Sequence, residues 1–153
     1  MTKEPQLHWK LSAFDSLNVH ELYDFLQLRS EVFGLEQNCL FQDVDGYDQI
    51  AHHLMGYVGP QLVAYARCFA AHGKYAEASI GRVVTRPSAR GTGLGHLLIE
   101  QAKLSVSTLW GPQPVRIGAQ ARLEKFYTDH GFVNDNKPYM EDGIPHLEMV
   151  WTP

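Results

Sequence analysis

The sequence is short of cysteine, of net positive charge and of long apolar runs, and each shortage closes a class of function. Cys39 and Cys68 are the only cysteines. They form neither a metal pair nor a Cys-x-x-Cys motif, and so fit a reducing compartment. The formal net charge of -4 gives nucleic-acid binding no bulk support, although a local basic patch around a phosphate site stays allowed. No run approaches the length of a membrane span, and Met1 to Lys10 has no apolar core followed by a cleavage signal, so a cytoplasmic protein without membrane or nucleic-acid partners is expected. What is present is globular: 44% hydrophobic and 20% charged residues over 153 positions suffice for one domain, 1–153, with its own core.

The chain is organised around 79–109. Ser79-Ile80-Gly81-Arg82-Val83-Val84 has the β-branched content of a buried strand, and Pro87 ends the pattern. Arg90-Gly91-Thr92-Gly93-Leu94-Gly95 follows as a turn. Leu94, Leu97, Leu98, Ala102, Val106 and Leu109 then recur at helical spacing, predicting an amphipathic helix of about four turns. Either the glycines merely make a tight connection, or they let backbone N–H groups at the helix start approach an anion, with Arg90 adding charge. The anion would be a phosphate or pyrophosphate. A P-loop is excluded because Gly95 is followed by His96-Leu97, and a dinucleotide fingerprint because the glycines are spaced by two.

Around this unit, Leu7, Trp9 and Leu11 alternate as a first strand, and Asn18 with Glu21 forms a capping box for a helix from about Val19 to Val32. Its predicted inner face is Val19, Leu22, Leu26 and Phe33, with Phe25 at the margin. Arg29 lies near that face, where it pairs with an acid, approaches a ligand or snorkels to the surface. The stretch 36–48 has no period and carries Glu36, Asp43, Asp45 and Asp48. It reads as a solvated loop or as an acidic wall that attracts a cationic substrate; the ligand spacing of a calcium loop is absent. Leu54–Tyr57 and Leu62–Phe69, joined through Gly59-Pro60, predict a hairpin. The adjacent His52 and His53 point to opposite faces and cannot chelate one metal, so no metal site is expected. Val115–Ala119 forms with the central strand a right-handed parallel crossover. A helix over Gln120–His130, capped by Gly131, then precedes strands Phe132–Tyr139 and His146–Trp151, joined through Glu141-Asp142-Gly143.

In this context the sequence resembles the GNAT superfamily of N-acetyltransferases, and within it the bacterial ElaA-like branch. The superfamily resemblance rests on Arg90-Gly91-Thr92-Gly93-Leu94-Gly95 after the strand Gly81–Thr85, and on Phe126-Tyr127 followed by Gly131-Phe132. The branch resemblance rests on Arg29 through Phe33, Glu36-Gln37-Asn38-Cys39, Asp43-Val44-Asp45-Gly46, Val63-Ala64-Tyr65-Ala66-Arg67, Ile80-Gly81-Arg82-Val83, Gly118-Ala119-Gln120-Ala121 and Glu141-Asp142-Gly143-Ile144-Pro145-His146.

The resemblance implies an α/β, GNAT-like acyl-CoA N-acyltransferase fold: a mixed, mostly antiparallel central sheet with helices on both faces. It also implies acetyl-CoA as cosubstrate. The backbone of Val83, Val84 and Thr85 would hold the pantetheine arm, and Arg90, Gly91, Thr92, Gly93, Leu94 and Gly95 the pyrophosphate, with Arg86 and Arg90 as supplementary cations. An amine would attack the thioester directly, an N–H near Val83 would polarise its oxygen, and Tyr127 would protonate the departing thiolate. Glu36, His53, His146 and Glu148 are the candidate bases. The acceptor would be a small basic molecule or a peptide amine, and homodimers are common in the superfamily. A noncatalytic CoA-binding or sensing domain and an enzyme using another acyl donor are the alternatives.

Overall fold

In the computed structural model, which describes residues 6–38 and 40–153, the alternating segment Leu7–Ala13 is the edge strand β1. It pairs antiparallel with β2 (His52–Val58), which pairs with β3 (Gln61–Phe69) through the Gly59-Pro60 turn. β4 (Ala78–Thr85) lies antiparallel to β3, β5 (Val115–Gln120) parallel to β4, and β7 (Ile144–Trp151) inserts between β5 and β6 (Phe132–Glu141). The described residues thus form one seven-stranded sheet in the order β1-β2-β3-β4-β5-β7-β6. Only the β4–β5 contact is parallel, as the mixed, mostly antiparallel expectation requires. Cys39, with its place in the quoted motif, and the leading residues 1–5 lie outside the described residues.

Among the described residues, three α-helices cover the two faces. α1 (Val19–Arg29) starts at the Asn18/Glu21 capping box, both halves of which form. Besides Glu21 of the capping box, its buried residues are Phe25, Leu28 and Arg29, followed by Val32, and these pack toward Met55, Tyr65 and Val84. The expected inner face is therefore rotated: Phe25 is central and Val19 is 75% exposed. At Ser30 the helix widens into a π-helical segment, Ser30–Glu36, which carries the chain to the cleft. On the other face α2 (Leu94–Trp110) buries Leu94, Leu98, Ile99, Ala102, Ser105 and Val106 against Leu54, Ala64, Ala66 and Ile80. Leu97, expected inside, is 54% exposed. The last helix is shorter than the sequence pattern suggests: Gln120 completes β5, a 3₁₀ turn spans Ala121–Leu123, and α3 is Glu124–Thr128, closed by Gly131 at φ 89°.

Two departures from regular sheet position the site. β4 and β5 pair only at Ala78↔Val115 and Ser79↔Arg116, after which the strands diverge. β4 also carries an extra residue, because its register with β3 steps from Gly81↔Arg67 to Val84↔Tyr65. Arg82 sits in this bulge at φ 49°. The bulge reverses the alternation of β4, so Ile80 packs toward α2 while Val84 packs toward α1.

Candidate active site

The divergence of β4 from β5 opens a cleft of about 700 Å³, within the range that holds a substantial ligand. Its walls include Val83, Val84, Thr85 and Arg90 on one side and Ile117, Gly118, Gln120 and Tyr127 on the other. Beyond Ser79 the β4 edge facing β5 has no ladder partner in β5, so its backbone groups can pair with an extended amide-bearing ligand. Just beyond the cleft lies the glycine turn. Gly91 and Gly93 adopt φ 82° and φ 81°, and no atom lies within 4 Å of a Cβ built at either one. The turn therefore needs glycine for its own conformation at two positions, and its surface stays open above the start of α2. Arg90 bridges this turn to the cleft, pairing with Glu36 and donating to the Thr85 carbonyl at 3.2 Å. Arg86 is directed elsewhere: its Nε donates to the Leu62 carbonyl at 2.7 Å and its Nη1 reaches Glu31 at 3.4 Å. It is absent from the cleft wall.

Tyr127 projects from α3 into the cleft, only 7% exposed, and burial pushes its phenol up to about 12. The ring is fixed edge-on between Phe126 and Phe132, at centroid distances of 5.0 and 5.7 Å. The four basic candidates do not converge. His53 is buried against Phe25 and lies outside the cleft lining, on the α1 side. Its Nε2 is 2.9 Å from the Asp48 carbonyl, an acceptor only, so Nε2 carries the proton and Nδ1, 2.6 Å from Tyr65 Oη, accepts. Both nitrogens are thus committed, and burial holds the imidazole below its usual pKa. Glu148 joins Glu77 and Asp135 around Arg116, tying β5, β6 and β7 together, and does not line the cleft. Glu36 lines it but is paired with Arg90. His146 lines it from β7: its Nδ1 lies 2.8 Å from the Ile144 carbonyl, which makes Nδ1 the donor, and its Nε2 lies 3.5 Å from Glu141.

The loop 40–48 differs from the open acidic wall that its sequence suggests. Asp43, Asp45 and Asp48 are held by Arg29, Arg67 and Arg82, so the negative charge is matched by arginines distant in sequence. Arg29 is fully buried, against the surface alternative. Burial opposes ionisation of Asp45 and Asp48, yet hydrogen bonds from Arg67 to the first and from Arg29 and Arg67 to the second hold both below the usual carboxylate range. Asp45 and Arg82 form part of the cleft wall with Phe41, Tyr47 and Lys74. Lys74 Nζ sits 3.9 Å over the Tyr47 ring. Sequence reasoning did not select Arg82 or Lys74 for the site. Arg82 lay inside a quoted motif, but its positive φ has no sequence signal in a non-glycine residue.

Gly118, on β5, explains itself here. A Cβ at this position would run into the Tyr139 hydroxyl, with the Tyr75 hydroxyl 3.2 Å away. Only the bare backbone lets these two phenols close over the strand. Cys68 is buried in the α2-side core, where burial pushes its thiol up to about 12, so it is not a ready nucleophile.

Residues 26–153 match the family model described as an acetyltransferase (GNAT) domain. The chain is 39% identical over 146 residues to Protein ElaA of Escherichia coli strain K12, covering 94% of this chain and 95% of that protein. Among solved structures it is similar to an acyl-CoA N-acyltransferase from Pseudomonas aeruginosa, with TM-score 0.91 and 42% identity over 96% of this chain and all of that one. It is also similar to the crystal structure of E. coli ElaA, with TM-score 0.89 and 37% identity over 95% of this chain and 99% of that one.

Proposed function

The chain belongs to the GNAT acetyltransferase family and is an acyl-CoA-dependent N-acyltransferase, and from that premise we propose that it moves an acetyl group from acetyl-CoA to a primary amine of a small basic molecule or peptide by direct attack. The observation that carries this reading is that the buried Tyr127 lines the same cleft as the stretch of β4 that has no ladder partner in β5. In the proposed reaction a neutral amine nitrogen bonds to the thioester carbon, the N–H of Val83 stabilises the charge gathering on the carbonyl oxygen, and the C–S bond breaks. The thiolate takes the proton of Tyr127, and the attacking nitrogen sheds its extra proton to the phenolate, which leaves a neutral amide and restores the phenol. A phenol pushed up to about 12 stays protonated across the neutral range and so is available as a donor.

His146 is the base we favour, because it is the cleft-lining candidate without an arginine partner. Its Nε2 would receive the ammonium proton, and Glu141 would stabilise the resulting imidazolium. The extended backbone of Val83–Thr85 would hold the pantetheine arm, and the Gly91–Gly95 turn the pyrophosphate.

Thiol release from acetyl-CoA against a panel of small amines, polyamines and basic peptides tests the reading, with CoA affinity measured by calorimetry on the same preparation. Turnover of one amine class with acetyl-CoA is expected. Turnover only with longer thioesters would replace the donor, and tight CoA binding with no turnover would support a sensing domain instead.

A further inference from the structure

Three arginines and three aspartates from separate parts of the chain meet at the wall of the cleft. Arg29 Nε lies 2.9 Å from Asp43 and its Nη1 lies 2.8 Å from Asp48. Arg67 grips both oxygens of Asp45 at 2.9 Å and reaches Asp48 at 3.0 Å. The third arginine is Arg82, in the β4 bulge: its Nε is 3.0 Å from Asp43 Oδ1, and its Nη2 is 3.1 Å from the Asp43 carbonyl and 3.4 Å from Asp45. Its guanidinium also covers the Phe41 ring at 5.3 Å. Arg29 and Arg67 are buried from solvent, whereas Arg82 shows 20% of its side chain on the cleft wall.

The backbone at Arg82 has φ 49°, a conformation that a bulky residue keeps only where its surroundings fix it. Here the surroundings are the aspartates of the loop, themselves clamped by the two buried arginines. The next residue is Val83, at the point where β4 changes faces.

We propose that Arg82 is a positioning residue for acyl transfer: its ion pairs with Asp43 and Asp45 lock the bulge so that the Val83 N–H points at the thioester oxygen. The inference rests on the role given to that amide above. It assigns a task to the arginine and aspartate motifs that the chemistry itself leaves idle. The loop and the bulge then form one unit, and loosening either misaims the amide.

Removing Arg82 leaves no aspartate orphaned, since Asp43 keeps Arg29 and Asp45 keeps Arg67. The variants Arg82→Gly and Arg82→Ala are therefore expected to fold. Amide hydrogen exchange at Val83 and Val84, read by NMR on the full chain, should speed up about tenfold or more in both. With an acceptor from the panel, kcat should fall about tenfold or more while the KM for acetyl-CoA changes less than about threefold, and Arg82→Lys should recover part of kcat. Wild-type exchange at Val83 in Arg82→Gly overturns the proposal, as does faster exchange with unchanged kcat. A wild-type chain without turnover on any amine would overturn the proposed function, and the exchange data would still decide whether Arg82 locks the bulge.

Discussion

At the scale of single residues, the cleft sorts side chains by whether their polar atoms are already spent. His53, Glu148 and Arg86 have the right chemistry, but their atoms are satisfied elsewhere. Tyr127 and His146 line the cleft without an arginine partner. Tyr127→Phe should thus lower kcat about 10- to 100-fold and leave CoA affinity within about threefold, because in the proposed reaction the lost hydroxyl serves as an acid and not as a binding group. Thiol-release kinetics over the full pH range check this, and unchanged kcat would remove Tyr127 as the acid. His146→Gln should cut kcat by a similar factor at neutral pH and recover at alkaline pH, where more of the acceptor is already neutral. A defect that stays constant with pH would assign His146 to packing beside Tyr139. The place of Tyr127 on the cleft wall was legible because a helix, a glycine cap and a following Phe sit at fixed distances in sequence. The sorting of the bases was not, since it depends on partners such as Tyr65, Arg116 and Arg90, which lie 12, 32 and 54 residues away in the pairings that decide it.

At the scale of elements, strand and helix order could be read from periodicity and turn chemistry, while faces and irregularities could not. The α1 face was misjudged by a rotation that puts Phe25 at its centre and Val19 in solvent, while Arg29, read as lying near the inner side, is a buried ion-pair member there. The π-helical segment and the β4 bulge each change backbone register, and neither requires a glycine or proline that would announce it. The glycine turn is the opposite case. Gly93 has positive φ and caps α2, so Gly93→Ala should cost about 1 kcal/mol of stability, yet leave CoA affinity within about threefold. Gly93→Glu should pay the same backbone cost and also weaken CoA binding at least about tenfold, by setting a carboxylate where the pyrophosphate would lie. Denaturant unfolding and calorimetry on the pair separate the two effects. Equal CoA affinity in both would move the cradle away from Gly93.

At the scale of the whole molecule, the sheet carries an apolar core on its α2 side and a partly ionic layer on its α1 side. The latter joins His53, Tyr65, Asp48, Arg29 and Arg67. That layer makes folding depend on pH in two stages. His53, and His52 beside Trp110, are held by burial below their unfolded values, so their contribution is complete above the unfolded histidine pKa of about 6.5 and declines as pH falls below it. Asp45 and Asp48 are held below their unfolded values by arginine partners that outweigh burial. Their stabilisation is complete above about pH 4 and is lost as pH falls further toward their folded values. Stability from urea unfolding should therefore be level from about pH 7 to 8, and fall below about pH 6.5 with a slope of up to about 1.4 kcal/mol per pH unit for each histidine. It should steepen again below about pH 4. His53→Gln should reduce the slope of the first limb to the share that His52 supplies and leave the second in place, because the aspartates keep their arginines. A wild-type curve level from pH 7 to 5, or a first limb unchanged in His53→Gln, would mean that protonated His53 is accommodated without opening the layer between α1 and the sheet.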